Sequence, residues 1–401
     1  MLKYALGLYA LAVATTAMAA PHYRLIDLTP ASTALPNAPR AISDSGKIIG
    51  ETGGAGVNHL VRLDGTAAVL PTLAGGTNTV TRGINNAGIA AATVQTVGGD
   101  DRAALIGPGG AVQLGGIAGY AAAGALGINN HGVATGYVLS SGQVSGLEGG
   151  FPVNSNNTLQ RAVVWTNGVA TILSDGNGAI RNAAGQAINA SGQIAGSARL
   201  ADNSRRAVTW LADGTLSILS LDVGEVASRA RAINAAGDVA GQVTAVRPFG
   251  EPGQFITQSV GAVWHNGLEY RLDNGAGQDN GTTRGINRRG DVVGFTTVTS
   301  GTNDNPVFTT VGRFWSLSGE VYTGVDLDSL VVNLGAWHTG AVQAINDRGQ
   351  IVGFDTALDG SSRAYLLTPV PEPGTWSLLI VGFAITGIVA RRRSLTALPA
   401  L

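Results

Sequence analysis

Between residues 21 and 369 apolar positions come in short runs, alternating or paired, and Gly, Asn, Asp or Ser interrupts them every few residues. Runs of this length suit β-strands joined by tight turns better than helices. One decapeptide recurs seven times: small, Ile, Asn, two variable residues, Gly, one variable residue, two aliphatic or small residues, then usually Gly. The copies are Ala41–Gly50, Gly83–Ala92, Gly127–Gly136, Ala187–Gly196, Ala232–Gly241, Gly285–Gly294 and Ala344–Gly353. Asn at the first corner and Gly three residues later are turn preferences, so each copy reads as a hairpin. The turn pairs are Asn85 and Gly88, Asn129 and Gly132, Asn189 and Gly192, Asn234 and Gly237, Asn287 and Gly290, and Asn346 and Gly349; Ser43 holds the Asn place in the first copy.

A second element precedes the later copies and usually ends on a large residue: Trp165, Trp210, Trp264 and Trp315, with Leu63, Ile106 and Leu367 in the equivalent places. A turn glycine and another short apolar run follow. Each unit thus offers four short strands, A to D, of which the decapeptide forms C and D. Repeated tryptophans are expected to be core. The chain opens on strand B material, Tyr23–Leu28, and its last folded segment, Arg363–Leu367, is a strand A without a partner. Paired, these complete a seventh unit. The expected fold is all-β: a seven-bladed β-propeller of four-stranded blades over residues 20–369, closed by its terminal strands, with a C-terminal transmembrane helix added.

The two ends read differently. Lys3, the apolar run Tyr4–Ala14 and the small-x-small pattern Ala17-Met18-Ala19 form a secretory signal peptide, residues 1–19, cut after Ala19. Residues 370–401 begin with Val370-Pro371-Glu372-Pro373 and continue through the uncharged stretch Thr375–Ala390 to Arg391, Arg392 and Arg393. A helix over that stretch is about 24 Å long, and Trp376 and the arginines extend its reach across a bilayer. Pro371, Glu372 and Pro373, then an apolar helix, then the arginine cluster resemble the PEP-CTERM sorting signal of Gram-negative bacteria. The resemblance implies an exosortase-type processing partner. It also implies an inner-membrane-tethered precursor, later found at the cell envelope surface or outside the cell, in a producer of extracellular polysaccharide. The repeats themselves resemble the HAF repeats of bacterial extracellular proteins, most closely in Gln193-Ile194-Ala195-Gly196 and Gln350-Ile351-Val352-Gly353.

Composition fits export. Cysteine is absent, and both methionines lie in the signal. Without Lys3, Glu372 and the three tail arginines, 21 basic and 25 acidic residues remain, so nucleic acid is not an expected partner. There is no dinucleotide fingerprint, metalloprotease motif or serine-hydrolase elbow, and no catalytic residue, metal or cofactor is assigned. Asp100-Asp101 and Asp326-Leu327-Asp328 read as solvated turns rather than calcium loops.

Loop length points to one face. From the end of a decapeptide to the next Trp-equivalent residue most units need 13 or 14 residues, but Gly136 to Trp165 takes 29, Gly241 to Trp264 takes 23 and Gly294 to Trp315 takes 21. These D-to-A connections carry Phe151, Phe255 and Phe308, and one long B-to-C connection carries Trp337 and His338. D-to-A and B-to-C connections emerge on the same side of an antiparallel blade, which makes these five residues the expected ligand face. The expected function is an exported cell-surface or matrix protein whose propeller binds or scaffolds, with extracellular polysaccharide or biofilm as its setting. A low overall charge favours a neutral glycan. The alternative is a glycan hydrolase or lyase using carboxylates such as Glu148, Glu251, Asp304 or Asp326 at the channel mouth.

Overall fold

The computed structural model describes residues 21–371, except 30–36, 55–56, 63–67, 141–146, 149–150, 153–158, 249–252, 276–279, 303–304 and 357–361. The expected signal peptide and sorting helix lie outside the described residues. Among the described residues no helix is long and apolar enough to cross a membrane.

The described strands form seven four-stranded antiparallel sheets and one two-stranded ribbon. Sheet one holds Asn37–Ile42, Ile48–Gly54, Val57–Arg62 and Ala68–Val69; sheet two Gly76–Ile84, Ala90–Thr96, Asp101–Gly107 and Gly110–Gln113. Sheet three holds Ala122–Ile128, Ala134–Leu139, Gln160–Thr166 and Val169–Ile172; sheet four Ile180–Ile188, Ile194–Leu200, Arg205–Trp210 and Leu216–Ile218. Sheet five holds Glu225–Ile233, Val239–Pro248, Phe255–His265 and Leu268–Arg271; sheet six Asn280–Ile286, Val292–Thr302, Asn305–Ser318 and Val321–Asp326. Sheet seven holds Ala341–Ile345, Ile351–Thr356, Ser362–Pro369 and, as its outermost strand, Tyr23–Asp27. Within every sheet the order is C, D, A, B, and the C strands line the axis. This is an all-β propeller with four-stranded blades.

Sheet seven joins the two ends of the chain. Tyr23 pairs with Pro369, Leu25 with Leu367 and Asp27 with Tyr365. The outer edge of that strand is covered: Asn333 accepts from the Leu25 amide at 2.8 Å and donates to the Leu25 carbonyl at 3.1 Å. An open sheet edge invites pairing with other chains, and this one is blunted by its own crossover.

The decapeptides form the C–D hairpins. In each complete copy the Asn carbonyl accepts from the Gly amide three residues on, as Asn85 does from Gly88 at 2.9 Å. The Asn side-chain oxygen takes donors two and four residues ahead; Asn85 accepts from the Ala87 amide at 3.1 Å and the Ile89 amide at 3.0 Å, and at Asn189 the Ser191 hydroxyl takes the first place. The glycine then sits at positive φ, between 77° and 93° in all seven turns, where a side chain would be strained. The last glycine of the decapeptide has another cause: at Gly136, Gly196, Gly241 and Gly294 a Cβ would collide with a carbonyl of the neighbouring C strand.

The core lies between sheets. Trp165, Trp210 and Trp315 are fully buried and Trp264 nearly so. Each indole donates to a backbone carbonyl of the crossover just before it: Trp165 to Gly115 at 2.8 Å, Trp210 to Ser174 at 2.8 Å, Trp264 to Ser220 at 2.9 Å and Trp315 to Asp273 at 2.8 Å. The repeated tryptophan therefore fills the wedge between blades and ties down a connection that would otherwise present an unpaired carbonyl.

Candidate functional site

Every C strand carries an irregularity at the same place, and the C strands of sheets two, four and five carry a second one nearer their start. The C–D register skips Arg40 in sheet one, Arg82 in sheet two, Leu126 in three, Gln186 in four, Arg231 in five, Arg284 in six and Gln343 in seven. A bulge inserts one unpaired residue and re-aims its side chain. Six of these seven side chains, all except Leu126, line a cavity of about 240 Å³ on the axis. Leu126 instead joins an apolar cluster with Tyr137 and Leu139.

The isoleucine two residues further on, present in every copy from Ile42 to Ile345, lines this cavity as well. It also lines a second cavity, of about 180 Å³, at the turn end. A ring of isoleucines thus separates two chambers. On the turn side lie Asp44, Asn86, Asn130 and Asp347, whose side-chain oxygens link neighbouring turns. Asn86 accepts from the Ser45 amide at 2.9 Å, Asn130 from Asn86 at 2.8 Å, Asp347 from Arg288 at 2.7 Å and Asp44 from Asp347 at 2.9 Å. Burial, followed by the Asp44 charge, pushes the Asp347 carboxyl up; the Arg288 amide draws it down.

The other chamber is cationic. Arg82, Arg231 and Arg284 all have guanidinium groups held below the ordinary range, chiefly by burial and then by neighbouring arginines, which for Arg82 is Arg40 and for Arg231 is first Arg284. For Arg284 the value falls to about 10, with Arg82 and Arg40 as the repelling neighbours. Glu51, 8 % exposed, is the nearby counter-charge: it accepts from Arg40 Nε at 2.8 Å and from the Thr81 amide at 2.9 Å. Arg231 donates to Gln242 Oε1 at 3.0 Å, and the Arg284 guanidinium lies 5.1 Å from the centre of the Phe295 ring. The sequence reading missed these residues because the repeat was framed from the small residue onward. Extending it by one position shows Arg, Arg, Leu, Gln, Arg, Arg, Gln in the seven copies.

The expected ligand face is only partly assembled among the described side chains. The hairpins of sheets five and six are extended, pairing out to Pro248↔Phe255 and Thr302↔Asn305. Phe255 is 63 % and Phe308 67 % exposed. Phe151 pairs with Glu148 in the two-stranded ribbon, and their side chains lie outside the described ones. Phe308 and His338 come together, with Asp328, Phe354 and Asp355, around a pocket of about 520 Å³. His338 Nδ1 lies 3.1 Å from Asp328. Trp337 is half-buried instead: its ring meets Tyr365 edge-on at 6.5 Å, and the Arg363 guanidinium lies 4.2 Å from its centre.

Of the carboxylates named for hydrolysis, Glu251 and Asp304 lie outside the described residues, and Asp326 is paired with Arg313. Among the described residues no group of three or more His, Cys, Asp or Glu side chains could hold a metal ion. The sorting residues Glu372, Pro373, Arg391, Arg392 and Arg393 likewise lie outside the described residues.

The fold and its tail define an exported surface protein built on a β-propeller. Residues 369–393 match the PEP-CTERM protein-sorting motif, which implies processing by an exosortase and transient membrane anchoring before display at the cell surface. No curated protein matches the chain. Among solved structures it is similar to virginiamycin B lyase from Staphylococcus aureus, at 11 % identity and TM-score 0.43 over 87 % of this chain and 100 % of that one. It is also similar to the Aleuria aurantia lectin in complex with α-methyl-L-fucoside, at 10 % identity and TM-score 0.37 over 76 % and 94 %. A third likeness is to TolB from Acinetobacter baumannii, at 9 % identity and TM-score 0.37; the chain covers 63 % of that protein's length and 73 % of its own is matched. At these scores none of the three carries a functional argument.

Proposed function

We propose that this protein is a surface or matrix binding module whose long-hairpin face engages an extracellular polysaccharide, in a biofilm or comparable matrix. The observation that supports this reading is the pocket of about 520 Å³ where Phe308, itself 67 % exposed, meets His338, Asp328 and Phe354. Aromatic walls beside hydrogen-bonding side chains suit sugar rings, which present apolar C–H faces rimmed by hydroxyls. In the same reading the repeats are HAF-like, and Thr375–Ala390 is a transmembrane helix that tethers the precursor in the inner membrane. An exosortase-type enzyme then cuts near Pro371–Pro373 and releases the ring. The testing experiment is retention of the mature protein on exopolysaccharide purified from the producing cells. Phe308→Ala should reduce retention about tenfold with little change in melting temperature, because the side chain is mostly solvated. Unchanged retention in Phe308→Ala and in Phe255→Ala would sink the loop-face reading.

A further inference from the structure

The axial chamber holds more positive charge than its walls balance. Four arginines line it and no lining residue is acidic; Glu51, behind Arg40, has both oxygens engaged. Arg82 and Arg284 thus bring positive charge into about 240 Å³ with no carboxylate in its lining. Burying like charges together is unfavourable unless a counter-charge accompanies them.

Two further features are those of an acceptor-seeking site. Gln186, 7 % exposed, has its Nε2 donor buried with no protein acceptor in reach, and the same holds for Nε of Arg284. Guanidinium and amide donors thus converge on a space whose turn-side end is lined by isoleucines. Apolar surroundings lower the local dielectric and strengthen attraction between a guanidinium and an anion. A planar guanidinium presents paired N–H groups that match two oxygens of one acid group.

We infer that the axial chamber binds an oxyanion — a carboxylate, sulfate or phosphate group — between Arg40, Arg82, Arg231 and Arg284, with Gln186 donating a further hydrogen bond. The group arrives either as the acidic substituent of a polysaccharide or as a free inorganic ion. It enters from the side of the long hairpins, the end of the chamber away from the isoleucines that border the turn side. This inference concerns the axis and stands apart from the pocket beside Phe308, so each can fail without the other.

The test uses the mature exported protein, with inorganic sulfate replacing chloride at constant ionic strength and binding read by calorimetry and by melting temperature. Sulfate should raise the melting temperature of the wild type. Arg284→Gln should weaken sulfate binding at least tenfold, yet melt higher than wild type in chloride because a repelling charge is gone. Arg82→Gln should do the same and serves if the first variant does not fold, while Arg199→Gln, on the rim of sheet four, should behave as wild type. Galacturonate and trigalacturonate then separate the sources. Trigalacturonate binding at least tenfold more tightly than the monomer assigns the site to an acidic polymer, and equal binding to sulfate assigns it to a free anion. No response to any of the three probes, or a sulfate response that survives both arginine variants, overturns the inference.

Discussion

Asn346 donates its side-chain amide to the carbonyl of Ser43 at 2.9 Å, across 303 residues of chain. The same side-chain bond recurs from Asn85 to Asn129, Asn129 to Asn189, Asn189 to Asn234 and Asn234 to Asn287, at 3.0–3.4 Å. A belt of turn asparagines thus runs around the axis, bridged between the Asn287 and Asn346 turns by the Arg288 amide donating to Asp347 at 2.7 Å, and Asn346 is the member that fastens its last copy to its first. Ser43 is too short to continue the belt, and Ser45 takes over with a bond from its hydroxyl to the Asn86 carbonyl at 2.9 Å.

Asn346→Ala should therefore destabilise the protein by roughly 2–4 kcal/mol, since it leaves the Arg348 and Gln350 amides and the Ser43 carbonyl without their partner. Asn346→Asp keeps the oxygen acceptors but loses the donor, and should fall between alanine and wild type. Urea unfolding of the three proteins checks the order; equal stability of alanine and wild type would mean the belt contributes nothing.

Trp337→Ala should lower stability by roughly 1–3 kcal/mol, because the half-buried indole supports Tyr365 and stacks with Arg363. Differential scanning calorimetry reads this directly. A variant that melts with the wild type would return Trp337 to the set of free ligand-face aromatics.

The Glu269 carboxyl, in the outer strand of sheet five, is pushed up to about 8, first by burial and then by Glu225 and Asp222. A raised acid is protonated in the folded protein where the unfolded chain has already lost its proton. Its contribution to stability is therefore full below about 4.5 and disappears as pH rises through about 8. Glu269→Gln should flatten that part of the stability–pH curve and raise the melting temperature at pH 9. Parallel curves for variant and wild type would contradict the assignment.

Mass spectrometry of protein recovered from the producing cell's surface should find a C-terminus near Pro371–Pro373 and none of Arg391–Arg393. Recovery of the intact arginine cluster would make the tail a permanent anchor.

What the sequence made legible was whatever depends on local chemistry. The Asn-x-x-Gly corner dictates a turn through its own side chain, so the decapeptide alone places the C–D hairpins. The pairing of Tyr23–Leu28 with Arg363–Leu367 followed from counting strands. The arginine chamber was hidden for two reasons. A bulge breaks the two-residue alternation by which inward and outward positions are told apart. And a net charge averaged over the chain says nothing of four arginines that a ring brings to one axis from residues 40, 82, 231 and 284. The half-burial of Trp337 was not legible because exposure within a long connection depends on tertiary packing, here on Tyr365 and Arg363.

The shared sheet also orients the molecule. The strand ending at Pro369 runs beside Tyr23, and the Val370 amide is bonded to the His22 carbonyl at 2.8 Å, so both ends of the described chain leave the disc at one point on its rim. That point lies on the side of the decapeptide turns, opposite the long hairpins, because strand A runs in the same sense as strand C. The long hairpins and the arginine-lined end of the axis lie on the opposite side of the ring from that point. Under the proposed function, a precursor tethered through its tail would therefore keep its proposed ligand face on the side away from the attachment point.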